Sequence, residues 1–150
     1  MTTLSNDPYH DIVYRDLPQP GAPSPEPVRA GDDAQFSREI HPDPVLLFRY
    51  SALTFNGHRI HYDRSYVTEV EGYPGLIVHG PLIATLLVDL LRRQRPEARI
   101  ASFAFKAVRP LFDTAPFSVC GRIDDTTRVA TLWARDPDGF VAMQASANLA

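Results

Sequence analysis

Three of the five histidines, His58, His61 and His79, fall within a stretch of 22 residues. Imidazole titrates near neutrality, so such a cluster suits a reaction in which a proton is taken up and returned. His58 and His61 lie in Asn56-Gly-His-Arg-Ile-His-Tyr-Asp, and His79 lies in Gly75-Leu-Ile-Val-His-Gly-Pro. The same rings could be purely structural, buried and satisfied by backbone carbonyls. A zinc site built from His58, His61, Asp63 and His79 is a competing reading. Its His-x-x-His spacing lacks the glutamate of the His-Glu-x-x-His motif, so no metal is assigned.

Gly80-Pro81 opens an apolar run directly after His79. If that run is helical, its first turn carries free N–H groups and a partial positive charge, suited to an oxygen that gains negative charge. Proline has no N–H, which leaves the Gly80 amide and those after the proline as the donors. A glycine there also lets a ligand approach the backbone closely. Gly80-Pro81 read without its neighbours is no more than a helix start. Cys120 has no adjacent acid or base and reads as a strand residue, and Asp113, Asp124 and Asp125 read as turn residues. The sequence holds neither a phosphate-binding glycine loop nor a serine nucleophile elbow.

Several elements must position these residues. Pro81–Arg93 reads PLIATLLVDLLRR, with Leu82, Ile83, Leu86, Leu87, Leu90 and Leu91 covering well over half its circumference. Such a helix is expected to be surrounded by protein. Arg92, Arg93 and Arg95 suit its negative end, and Pro96 stops it. An earlier helix starts at Asp43 as N-cap with Pro44 in the first position. Val45, Leu46, Phe48 and Leu53 put apolar side chains on one side of it. Gln35–Ile40 reads as a short strand, and Thr54–Asp63 as a polar segment leading into a loop with Gly72, Pro74 and Gly75. Ile100–Arg109, Phe117–Ile123, Val129–Arg135 and Phe140–Leu149 read as strands, the last two joined by the turn Asp136-Pro-Asp-Gly. One buried helix followed by four antiparallel strands predicts a sheet wrapped around that helix.

A chain of 150 residues with 44% hydrophobic and 22% charged residues is expected to form one globular domain. The net charge of −3 supplies no basic field for nucleic acid or anionic lipid. The lone cysteine excludes an internal disulfide and fits a reducing compartment. The N-terminus lacks an apolar signal-peptide core and no apolar run reaches a membrane span, so a soluble cytoplasmic protein is expected. Eight of the fourteen prolines lie in the first 44 residues. Residues 1–32 are therefore read as an extended arm anchored by Ile12-Val13-Tyr14, or as a leader without a role, and residues 33–150 as the folded domain.

Asn56-Gly-His-Arg-Ile-His-Tyr-Asp followed by Gly75-Leu-Ile-Val-His-Gly-Pro-Leu resembles the MaoC-like (R)-specific enoyl-CoA hydratase family. Within it, the chain is similar to the hydroxyacyl-thioester dehydratase type 2 and mesaconyl-C4-CoA hydratase branch. The resemblance runs from about Gln35 to the C-terminus and includes Val108-Arg-Pro-Leu-Phe-Asp. Residues 10–32 resemble the linker that precedes the second half of two-domain members. The resemblance implies an α+β hot-dog fold, in which an antiparallel sheet wraps a long central helix at about 81–94. It further implies that two such folds pair, as a homodimer, a heterodimer or two halves of one chain. His61 matches the family's catalytic histidine, and Gly80 the glycine that supplies the oxyanion N–H, with His79 before it. The general-base aspartate is replaced by Asn56, which cannot accept a proton. His61 is then expected to act as both base and acid while Asn56 orients the water. Arg59, where the common motif has proline, could pair with a substrate carboxylate, or brace the loop through Asp63 or Glu69. His58 completes the substrate-facing set. Lys106, Arg109, Arg92 and Arg93 could meet CoA phosphates, or be solvated surface charges.

The expected activity is hydration or dehydration of an α,β-unsaturated acyl thioester, such as mesaconyl-CoA, with the CoA thioester as substrate and no cofactor. The alternatives are a partner-dependent subunit of a heteromeric dehydratase, an acyl-CoA thioesterase using Asp63 or Glu69, and a ligand-binding protein without turnover.

Overall fold

The computed structural model describes residues 26–150. The Pro-rich stretch up to Pro25, with Ile12-Val13-Tyr14, lies outside the described residues. Strands β1 (Phe36–Ile40), β2 (Ile100–Ala107), β3 (Phe117–Asp124), β4 (Val129–Arg135) and β5 (Val141–Leu149) form one antiparallel sheet in the order β1-β3-β4-β5-β2. Helix α2 (Gly80–Gln94) lies in its concave face and buries Leu82, Ile83, Ala84, Leu87, Leu90 and Leu91.

Alternation along the strands supplies the other half of that core. Val119, Gly121 and Ile123 of β3 stand opposite Ala134, Leu132 and Ala130 of β4, which in turn stand opposite Met143, Ala145 and Ala147 of β5. At Gly121 any Cβ would collide with the side chains of Phe36 and Leu132, so only glycine lets β1 pack this closely. The β4–β5 turn needs Gly139 for its positive φ of 85°, and Asp136 caps it by accepting the Phe140 N–H at 2.8 Å. Residues 28–30 run beside this turn: the Ala30 N–H donates to Gly139 O at 2.9 Å and the Val141 N–H to Val28 O at 2.8 Å.

Helix α1 (Pro44–Leu53) starts where the sequence places it, with Asp43 Oδ1 accepting the Leu46 N–H at 2.9 Å. Its inward side differs from the apolar side expected. Leu47 and Ser51 are buried, whereas Val45, Phe48 and Leu53 are exposed. The helix is apolar nearly all round, so hydrophobicity does not select a face. The hydrogen bond made by Ser51 accompanies the buried one. After α1 the polar segment folds into a 3-10 turn, Arg59–His61, and a single π-helical turn, Tyr66–Val70, which periodicity did not suggest. No helix among the described residues is long and apolar enough to cross a membrane.

Candidate functional site at the start of the central helix

His61 ends the 3-10 turn with its ring buried. Its Nδ1 donates to Ile77 O at 2.7 Å, and because a carbonyl only accepts, this bond puts the proton on Nδ1 and leaves the Nε2 lone pair free. The strand-like segment that carries Ile77 is held on both sides: the Ile77 N–H donates to Ile60 O and the Val78 N–H to Leu111 O. The base-bearing turn and the approach to α2 are therefore one hydrogen-bonded unit.

His79 is the N-cap of α2 and is 1% exposed. Its ring stacks on His61 with centroids 3.7 Å apart and planes inclined by 18°, and it meets the edge of Tyr50 at 4.9 Å. Its Nε2 lies 2.8 Å from Ser51 Oγ. Burial, helped by the charge His61 would carry, pushes the His79 imidazolium down to about 4. Burial lowers His61 as well; the Ile77 carbonyl opposes that shift and His58 adds to it. Both rings are thus neutral at physiological pH, which suits His61 to accept a proton.

Gly80 follows His79 as the first residue of α2. A cleft of about 300 Å³ opens beside it, lined by Ile77, Val78, Ile83, Val108 and Met143. The first-turn amides have no partner within the helix, and Pro81 brings none, so the Gly80 and Leu82 N–H groups are the donors available there. A Cβ at position 80 would approach only Met143, at 4.0 Å, so packing does not demand glycine.

The structure gathers His58, His61, His79 and Gly80, with His58 edge-on to His61 at 5.7 Å. Asn56 joins less directly. Its Oδ1 accepts the His58 N–H at 3.0 Å, which turns the amide NH₂ away from that bond, and the residue lines a second cleft of about 390 Å³ with Phe48, Ser51, Phe55 and Tyr62. Arg59 is committed elsewhere. Its Nε and Nη2 donate to Asp63 Oδ2 at 3.0 and 2.8 Å, and the guanidinium lies 4.1 Å over the Tyr66 ring. These are the contacts of the loop-bracing reading. Asp63 is held below its usual carboxylate range by the Tyr66 N–H and by Arg59. Among the possible phosphate partners, Arg93 donates to Asp89 at 2.8 Å and Arg109 lies 3.5 Å from Asp136. Among the described residues no group of His, Cys, Asp and Glu could hold a metal ion.

Sequence reasoning did not single out Ser51 or Tyr50, and it read Asp113 as a turn residue. Asp113 is more than a turn residue: its side chain is 1% exposed, pairs with Arg64, and accepts the Leu76 N–H at 2.8 Å, pinning the segment that leads to His79. A carboxylate followed by Thr-Ala-Pro gives no local signal of that reach.

A long helix packed on one antiparallel sheet, with polar residues gathered at the helix start, defines the chain as a hot-dog protein. The (R)-hydratase from A. caviae involved in PHA biosynthesis superposes with a TM-score of 0.64 at 20% identity, over 76% of this chain and 92% of that one. A chain of the ChsH1-ChsH2 complex from Mycobacterium tuberculosis superposes with a TM-score of 0.67 at 17% identity, over 82% and 96%. The profile of the hydroxyacyl-thioester dehydratase type 2 family matches residues 3–113, and the chain belongs to that family. It is 50% identical over 143 residues to the mesaconyl-C(4)-CoA hydratase of Chloroflexus aurantiacus, covering 93% of this chain and 49% of that protein. The chain thus spans about half the length of this relative.

Proposed function

We propose that this chain is a hydro-lyase that adds water to, or removes it from, an α,β-unsaturated acyl-CoA. The single observation that carries the reading is the free Nε2 of His61, fixed by the Ile77 carbonyl and stacked beside the start of α2. In the hydration direction Nε2 takes a proton from water as the oxygen bonds to the β-carbon. The alkene electrons move through the α-carbon onto the thioester oxygen, which the Gly80 N–H stabilises as an enolate. The imidazolium then returns the proton to the α-carbon, and the product is a 3-hydroxyacyl thioester. One such donor is worth about 2.7–4 kcal/mol at the transition state. Asn56 cannot take the proton, but its NH₂ can orient the attacking water. The chemistry calls for no metal or redox cofactor. Mesaconyl-CoA is the preferred acyl group because the C. aurantiacus relative acts on mesaconyl-C(4)-CoA.

A second hot-dog fold completes the assembly in this reading. Among the described residues strand β2 is hydrogen-bonded on one side only, and Val45, Phe48, Leu53 and Phe55 are exposed around α1. These features also support the alternative of a partner-dependent subunit. For the thioesterase alternative, Asp63 is spent on Arg59 and the Tyr66 amide, which leaves the exposed Glu69 as its carboxylate. A cytoplasmic setting fits a CoA thioester substrate.

The test is the loss of enoyl-thioester absorbance with purified chain, crotonyl-CoA and mesaconyl-CoA run in parallel, and His61→Ala as control. Turnover abolished by the substitution supports the reading. No turnover of either thioester by the wild-type chain overturns it as a self-sufficient enzyme, and release of free CoA would make the chain a thioesterase.

A further inference from the structure

Ser51 takes no part in the reaction outlined above, yet it is 5% exposed and its hydroxyl meets His79 Nε2 at 2.8 Å. Ser51 lies in the last turn of α1, and a serine buried on a helix needs a reason, because its hydroxyl competes for backbone bonds and must find a partner. We propose that Ser51 and His79 are a positioning pair: the hydroxyl locks the His79 ring, and the locked ring holds His61 in the orientation from which Nε2 meets the substrate. The proposal rests on the hydratase reading.

Among the described residues His79 Nδ1 is buried without a hydrogen-bond partner, so among them the bond to Ser51 is the one that distinguishes the His79 ring from its flipped form. Tyr50 and His61 confine the ring plane from two sides but do not tell nitrogen from carbon. His61, in turn, has one polar anchor, the Ile77 carbonyl, and one flat wall, the His79 ring. Histidine bases are commonly oriented by a carboxylate. Here the titratable groups facing the two stacked rings are His58 and Tyr50, and among the described residues no carboxylate bonds to either ring. Neutral partners replace the acid. The pair also joins α1 to the N-cap of α2, so the same bond fixes the backbone immediately before the Gly80 amide.

The test compares wild type with Ser51→Ala, which deletes the hydroxyl, and Ser51→Thr, which keeps one. Rates of crotonyl-CoA hydration are measured across pH, together with nitrogen-15 NMR of the histidine rings in the same proteins. Misplacing a reacting group by about 1 Å costs on the order of 100-fold, and a partly loosened ring costs roughly 10- to 100-fold. Ser51→Ala should lose kcat on that scale with KM within about twofold. Its acid limb of kcat/KM should move to higher pH as water reaches a loosened His61. Its His79 signals should change from one fixed tautomer to an averaged pattern, and Ser51→Thr should recover most of the rate and the fixed tautomer. A Ser51→Ala protein with wild-type kcat, acid limb and His79 tautomer overturns the proposal, as does an equal loss in Ser51→Thr. If Ser51→Ala does not fold, Ser51→Cys replaces it under the same criteria. Should wild type turn over no thioester, the hydratase reading fails by itself, and the ring NMR still decides whether Ser51 locks His79.

Discussion

The imidazole of His79 lies flat against that of His61, with centroids 3.7 Å apart, and two imidazolium ions cannot share that spacing in a buried site. Burial lowers both rings, and His79 is held at about 4, so the His79 ring remains neutral while His61 gains and loses its proton. A base whose pKa is lowered keeps its acceptor form to lower pH. The acid limb of kcat/KM is therefore expected below 6.5, the ordinary value for histidine, and a pH–rate profile checks it. An acid limb above 6.5 would mean that His61 is not the group being titrated.

The same ring makes a statement about stability. His79 is protonated in the unfolded chain below about 6.5 but resists protonation in the fold down to about 4. Between those values the unfolded state binds more protons, so stability is present above 6.5 and is lost as pH falls towards 4. The loss from this ring is on the order of 3 kcal/mol at pH 4. Denaturant unfolding at pH 7 and pH 4 measures it, with His79→Phe as the reference. The wild-type drop should exceed the drop in the variant, and equal drops would show that carboxylates alone account for the acid sensitivity.

The buried Asp113 carboxylate offers a more local perturbation. Asp113→Asn keeps an oxygen for the Leu76 N–H and loses only the pairing with Arg64, which is half exposed. Asp113→Ala leaves a partly buried amide unpaired, at about 1–3 kcal/mol. The alanine variant should melt lower than the asparagine variant and lose kcat more than it raises KM, because residues 75–79 carry the anchors of His61 and the Gly80 amide. Identical melting temperatures for the two variants would assign the contribution to the ion pair instead.

Much of this arrangement can be read from the sequence, and what cannot has a common cause. Helix α2 is legible because its apolar residues recur at helical spacing, and α1 begins as expected because Asp43-Pro44 is a local start signal. The strands follow from alternation and from Asp136-Pro-Asp-Gly. Sequence reading also names His61, His79 and Gly80 as candidates, since three histidines fall just ahead of a helix start and the two short motifs resemble those of a known family. The contacts that give these residues their environment are long-range. Ser51 reaches across 28 positions to His79, and Asp113 across 37 to Leu76. Neither residue type is unusual where it stands. The buried face of α1 was illegible for a different reason: with apolar residues nearly all round, periodicity does not choose between Leu47 and Phe48. Arg59 had two readings in sequence, and its contacts with Asp63 and Tyr66 are those of the brace.

The surface left open by the fold gives the last expectation. Phe103 and Phe105 of β2 stand on the side of the sheet that faces α2, and with Tyr50, Ala84 and Val88 they line an apolar cleft of about 360 Å³. Phe105 is 42% exposed, and among the described residues β2 has hydrogen-bonded neighbours along one edge only. An unprotected edge strand flanked by apolar side chains pairs readily with another strand, and a second copy of the chain is the simplest supplier. Phe105→Glu sets a charge in that surface without touching the stacked histidines. Light scattering at micromolar concentration should give wild type twice the chain mass and the variant the single-chain mass, with the melting temperature of the variant falling because the open face is no longer covered. A wild-type chain that is monomeric in isolation would exclude the second copy, and a different hot-dog chain would then be the partner to seek by restoring hydration activity to the mixture.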